Sequence, residues 1–219
     1  MWDFLQTYGG RLAEGTLVTA AQFALATAVA LVAALAAGLG RLSAHWPVRA
    51  AATTYVEIFR GTSLLVQLYW IFYVLPLFGI SLPKLTAGFL SVGLNVGAYG
   101  AEIVRGSILS VQRGQWEAAY ALSMSPWKRM RRIILPQALV LMLPPWGNLL
   151  IELLKGTALV ALIGVADLMF VAKQINGSTF LSAEAFGTAL VIYYLLARVL
   201  ITPAMRRLER SMARRLGRA

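Results

Sequence analysis

The sequence predicts an all-α, polytopic integral membrane protein with about five transmembrane helices and two short cytoplasmic helices between spans three and four. Composition is the first reason: 59% of residues are hydrophobic, 13% are charged, and mean hydropathy is +0.70. A soluble domain carries about 25% charged residues. The second reason is that the apolar residues fall into runs long enough to cross a bilayer, which takes roughly 20 residues. The third is that Lys and Arg gather in alternate connecting segments, the pattern expected of cytoplasmic loops.

The elements follow in chain order. Residues 17–40 are apolar without a charge and form the first span. No basic stretch and cleavage site precedes them, so this span is expected to double as the insertion signal. Residues 50–79 form the second span, with Glu57 and Arg60 inside it. Residues 85–109 form the third, with Glu102 and Arg105 towards its end. Residues 139–170 hold the fourth, although Pro144 and Pro145 are expected to break its start and Glu152 and Lys155 lie within it. Residues 186–205 complete the set. The whole chain, 1–219, reads as a single membrane domain.

Basic residues fix the expected orientation. Arg41, Arg49 and Arg60 follow span one; Arg113, Lys128, Arg129, Arg131 and Arg132 follow span three. Arg206, Arg207, Arg210, Arg214, Arg215 and Arg218 follow span five, whereas the opposite side carries Arg11, Lys84 and Lys173. The N-terminus is therefore expected outside and the C-terminus in the cytoplasm. The net charge of +11 raises nucleic acid as a partner, but its confinement to loops and tail is accounted for by topology and lipid head groups. The chain has no cysteine and a single histidine, His45, so no disulfide, thiolate metal site or redox centre is expected.

Residues 112–136 stand apart. Trp116, Ala119, Tyr120 and Ser123 fall at i, i+3, i+4 and i+7 on one helical face. Ser125 is placed to cap a second helix that opens with Pro126, where a missing N–H costs nothing. Trp127, Met130, Arg131 and Ile134 share the next face, and Pro136 is expected to close the segment. Two readings suit this helix–turn–helix equally: an interfacial pair lying on lipid head groups, or a docking element for another protein.

A resemblance separates them. Glu117-Ala118-Ala119, then Ser123, then Ile134-Leu135-Pro136 resemble the EAA loop of ABC-transporter permeases. The run from Glu57 to Gln67, the run from Leu94 to Gly106, and Ile163-Gly164-Val165-Ala166-Asp167-Leu168 resemble blocks of the polar amino acid permeases. The likeness covers about residues 16–208 and includes members that carry compatible solutes such as ectoine. It implies an importer subunit in the bacterial inner membrane. It also implies three partners: a dimer of ATP-binding cassette ATPases, a second permease chain (identical or homologous) and an extracellular solute-binding protein. On this reading Glu117, Ala118, Ala119, Ser123, Ser125, Pro126 and Trp127 couple the chain to the ATPase, and ATP and Mg sit on that partner. The chain itself contains no G-x-x-x-x-G-K-[ST] and no Gly-Lys pair. Family members usually carry glycine where this chain has Ser123.

Charges within the spans repeat one pattern. Glu57, Glu102 and Glu152 each precede a base by three residues (Arg60, Arg105, Lys155); Glu57 and Glu152 are expected to form self-neutralising pairs, whereas Glu102 is set apart by the residues that share its face. Asn95, Tyr99 and Glu102 share a stripe of the third span, and Gln67 on the second can reach the same space. These four form either a substrate path, with Glu102 holding a cargo ammonium, or an interhelical hydrogen-bond cluster. The family implies binding at about this depth in some members. Many relatives carry an acid where this chain has Gly156, which disfavours arginine or lysine as cargo and favours a neutral or zwitterionic solute. Asp167 is expected to cap a helix or to meet the binding protein. No nucleophile–base set marks an enzyme. The competing class is an ATP-independent channel or secondary transporter, which leaves residues 112–136 unexplained.

Overall fold

The computed structural model describes residues 2–215, with Ala213 and Arg215 described by their backbone alone. Arg218 of the basic tail and the side chain of Arg215 lie outside the described residues. The described chain is helical, in eight runs. These are α1 Trp2–Gly40, α2 Trp46–Gly61, α3 Leu64–Phe78, α4 Lys84–Leu109, α5 Arg113–Ala121, α6 Pro126–Ile163, α7 Leu168–Thr179 and α8, residues 182–215. Among the described residues four helices are long and apolar enough to cross a membrane: α1, α4, α6 and α8 up to Met212. The bent pair of α2 and α3 passes the same test only when taken together, which allows up to five crossings.

The bundle centres on α1 and α4. Buried Ala26, Ala30, Ala34 and Ala37 lay a flat stripe along α1, and glycines on α4 meet it. A Cβ on Gly93 would lie 2.6 Å from the Val29 Cβ, and one on Gly97 would lie 2.7 Å from the Ala33 Cβ. Small residues at a membrane helix interface let backbones approach this closely. The pairs 93/29 and 97/33 advance together, so the two helices run parallel. Trp146 of α6 and Met205 of α8 close the same core, packing with Ala34 and Val104.

Four features differ from the sequence expectations. Helix α1 begins at Trp2, not at residue 17. Its first turns do not face lipid alone: Phe4 and Leu12 pack on Leu168, Val171 and Ile175 of α7 and on Ala185 of α8. The second span is not one helix. It breaks at Thr62-Ser63, where the backbone is extended, and the halves meet at 107°.

The fourth expected span is displaced and unbroken. Helicity runs from Pro126 to Ile163 without interruption at Pro136, Pro144 or Pro145. A wide π-type turn at Met130–Ile134 immediately precedes Pro136 and takes up the lost backbone bond. Met142 and Trp146, on either side of the proline pair, are anchored in the core and hold the helix through it. The span then tightens and stops at Gly164, in the left-handed region, so residues beyond Ile163 belong to a separate short helix, α7.

Candidate functional site

Helices α5 and α6 build the helix–turn–helix. The amide of Met124 donates to the carbonyl of Ala119 and that of Ser123 to Tyr120, a Schellman ending for α5. That ending places Ser123 at φ +52°, the position most often filled by glycine. Serine adopts it at a conformational cost, so the turn is made by a residue the geometry does not favour. Ser125 then caps α6, its hydroxyl accepting from the Lys128 amide at 3.5 Å, and Pro126 opens the helix.

Arg129 locks the two helices together. Its side chain is buried, and its guanidinium lies 3.8 Å from the ring centre of Tyr120 and 5.7 Å from that of Trp116. By sequence Arg129 is one of the basic residues of the segment after span three that set the expected topology. Its i, i+3 spacing from Pro126 gives no sign that it would fold back over α5.

The placement of the seven candidate coupling residues is uneven. Glu117, Ala118, Ser123, Ser125, Pro126 and Trp127 are exposed, whereas Ala119 is fully buried beneath the turn. Beside them Tyr120 is 63%, Leu122 73% and Trp127 70% exposed. The turn thus carries an exposed apolar and aromatic tip on a backbone-capped base.

The second cluster forms where α2 breaks. A broken helix leaves carbonyls without partners, and within a membrane they must be met by the protein itself. Gln67 and Asn95 do this. The Gln67 amide donates to the Phe59 carbonyl at 2.9 Å, the Thr62 carbonyl at 3.3 Å and the Thr62 hydroxyl at 2.7 Å. Asn95 donates to the Phe59 carbonyl and to the Gln67 side-chain oxygen, both at 3.0 Å. A groove of about 420 Å³, lined by Ile58, Val66, Trp70 and the Gln67 side chain among others, opens against this break.

Glu102 lies further along α4 in a different setting. Arg41 from the end of α1, Arg60 from α2 and Arg105 from α4 all donate to its carboxylate, Arg60 at 2.8 Å and Arg105 at 3.4 Å. Its charge is met within the chain, not left open to an ammonium. Arg60 therefore pairs with Glu102 and not with Glu57, contrary to the expected pairing. Tyr99 connects the two settings: it is 40% exposed, and the Arg60 guanidinium lies 5.3 Å from its ring centre. The structure thus joins Asn95 to Gln67 and Tyr99 to Glu102 through Arg60. The other expected pair is present as an exposed Glu152–Lys155 contact at 2.7 Å.

Asp167 resolves as a cap. It is fully buried, accepts from the Phe170 amide at 2.9 Å and from the Tyr193 hydroxyl at 3.3 Å, and burial pushes its carboxyl up to about 6. It has no surface to offer a partner.

Comparison with known proteins places this geometry. A probable amino-acid ABC transporter permease of Sinorhizobium fredii is 43% identical, over 96% of this chain and 90% of that protein. The glutamine transport system permease of Escherichia coli is 37% identical, over 92% of each chain. Among solved structures, that of an amino acid ABC transporter with histidines superposes with a TM-score of 0.87 at 35% identity, covering 94% of this chain and 96% of that one. Residues 8–214 match the model of the binding-protein-dependent transport system inner membrane component family. With four to five candidate crossings, an exposed helix–turn–helix after α4, and these relatives along nearly its full length, the chain belongs to that family, the inner-membrane permease subunits of ABC importers.

Proposed function

We propose that this permease forms, with a second permease chain, the path by which a polar amino acid or a zwitterionic compatible solute enters the cell. The energy comes from ATP and Mg held by a partner ATPase dimer, and a solute-binding protein delivers the cargo outside. The relatives that carry amino acids support the cargo class. The basic residues of the connecting segments favour an N-terminus outside and a C-terminus in the cytoplasm.

The single observation that carries the reading is the exposed tip of α5 and α6. Glu117, Ala118, Ser123, Ser125, Pro126 and Trp127 surround the apolar Tyr120 and Leu122, on a turn held from behind by Arg129 and buried Ala119. Such a tip suits a protein groove, because its backbone is already fixed and little order is lost on docking. We assign Asn95, Tyr99, Glu102 and Gln67 to the path, Asn95 and Gln67 by holding open the broken second span. The test is affinity purification of the tagged permease with its candidate ATPase. Recovery of a stoichiometric complex with cargo-stimulated ATP hydrolysis is expected. Uptake by the permease without any ATPase would identify a channel or secondary transporter instead.

A further inference from the structure

The cluster around Glu102 carries more positive charge than it neutralises. Three guanidiniums face one carboxylate, a surplus of two charges. Glu57 does not redress it: although one helical turn before Arg60, it forms no ion pair with it among the described residues. Arg41 follows the end of α1, but Arg60 and Arg105 lie on α2 and α4, and unneutralised charge on apolar helices of this kind marks routes for ions and substrates.

The arginines also retain bonding capacity. A guanidinium has five N–H donors, and each of these three places one on Glu102. Arg41 is largely enclosed, with 17% of its side chain exposed, whereas Arg60 and Arg105 are 41% and 36% exposed. The free donors of Arg60 and Arg105 are therefore accessible. The exposed Tyr99 ring flanks Arg60 and offers a phenol nearby. A planar fork of N–H donors matches a carboxylate, which it binds through two parallel hydrogen bonds.

We propose that Arg60 and Arg105 receive the carboxylate of the cargo, and that Glu102 is the positioning residue that holds the two forks. This rests on the reading of the chain as an importer of amino acids or zwitterions, and it names the group the path recognises. Glu102 does not bind the ammonium here; it keeps the cluster at a charge the membrane tolerates. A cargo with its carboxylate masked loses its hold on the path, and one with a cationic side chain is repelled by the same surplus.

The test uses the permease–ATPase complex in detergent without binding protein. Phenylglyoxal modifies accessible guanidiniums, and peptide mass spectrometry follows the rate at Arg60, Arg105 and, as reference, exposed Arg49. Two probe mixtures are compared: free L-amino acids with betaine and ectoine, and the corresponding carboxamides. At saturating concentration the free acids should slow modification of Arg60 and Arg105 about fivefold or more, with Arg49 unchanged and the carboxamides without effect. Arg60→Gln should also abolish protection at Arg105; Arg60→Lys, which phenylglyoxal does not modify, serves if the first variant does not assemble. Equal protection by acids and carboxamides, or none by either in an assembled, ATP-hydrolysing complex, overturns the proposal alone. Failure of permease and ATPase to co-purify strikes the underlying reading, and this proposal with it.

Discussion

Replacing Gly93 and Gly97 together by alanine should loosen the centre of the bundle. A Cβ at position 93 would lie 2.6 Å from the Val29 Cβ, and one at 97 would lie 2.7 Å from the Ala33 Cβ and 3.1 Å from the Tyr55 hydroxyl. Carbon atoms pack at about 3.5–4.0 Å, so α1 and α4 must part by about 1 Å along this contact. Neither obstacle is the free end of a flexible chain. Parting also strains the 2.6 Å hydrogen bond from the Tyr55 hydroxyl to the Leu94 carbonyl, which ties α2 to α4. Overpacking costs about 1–3 kcal/mol at each site, and alanine returns about 1 kcal/mol of helix propensity at each. Contacts this short put each site at the upper end of that range, about 2–3 kcal/mol, so the two sites together lose a net of about 2–4 kcal/mol, or a Tm lower by about 4–16 °C for a chain of this size. Thermal unfolding of the purified permease measures it, with Gly9→Ala as control because nothing lies within 4 Å of that position. A double variant that melts within 1 °C of the control would refute the close-packed α1–α4 contact.

Other expectations follow from the turn and the break. Ser123→Gly relieves the left-handed backbone at φ +52° and should raise stability by about 1 kcal/mol, read as a Tm increase of about 2–4 °C with ATPase binding retained; a lower Tm would mean that the serine hydroxyl holds the turn. Gln67→Leu strips donors from the Phe59 and Thr62 carbonyls and should cost about 1–3 kcal/mol, seen as a lower melting temperature and a faster amide exchange at Thr62-Ser63-Leu64; an unchanged exchange rate would show that the break is held by backbone alone.

Much of the membrane plan was legible in the sequence because apolar length is a direct physical requirement. The third span was expected at 85–109 and α4 covers Lys84–Leu109. What stayed hidden depends on contacts between distant residues. The bend at Thr62-Ser63 sits inside an apolar run, and the amides that make it tolerable come from Gln67 and from Asn95 on another helix. The passage of α6 through three prolines is equally non-local, since a π-type turn and buried Trp146 hold it. Local spacing paired Glu57 with Arg60, but Arg60 is drawn to a carboxylate that only the tertiary fold brings near. The early start of α1 is not legible locally, because Phe4 and Leu12 are buried only by the distant stripe of Leu168, Val171 and Ile175 on α7. The turn at 122–125 was legible in its capping residues; the Arg129–Tyr120 stacking that makes it rigid was not.

On the proposed function α5 and α6 receive the force of ATP hydrolysis on the partner subunit. Glu117 tests it most directly, since it is exposed and makes no ion pair among the described residues, while buried Ala119 would test the fold instead. Cargo-stimulated ATPase activity of the reconstituted transporter is to be measured for Glu117→Lys beside the unaltered protein. The variant permease should insert and melt normally but no longer pass the cargo signal to the ATPase, with stimulation and uptake both lost. Full stimulation and full uptake by Glu117→Lys would contradict this coupling role.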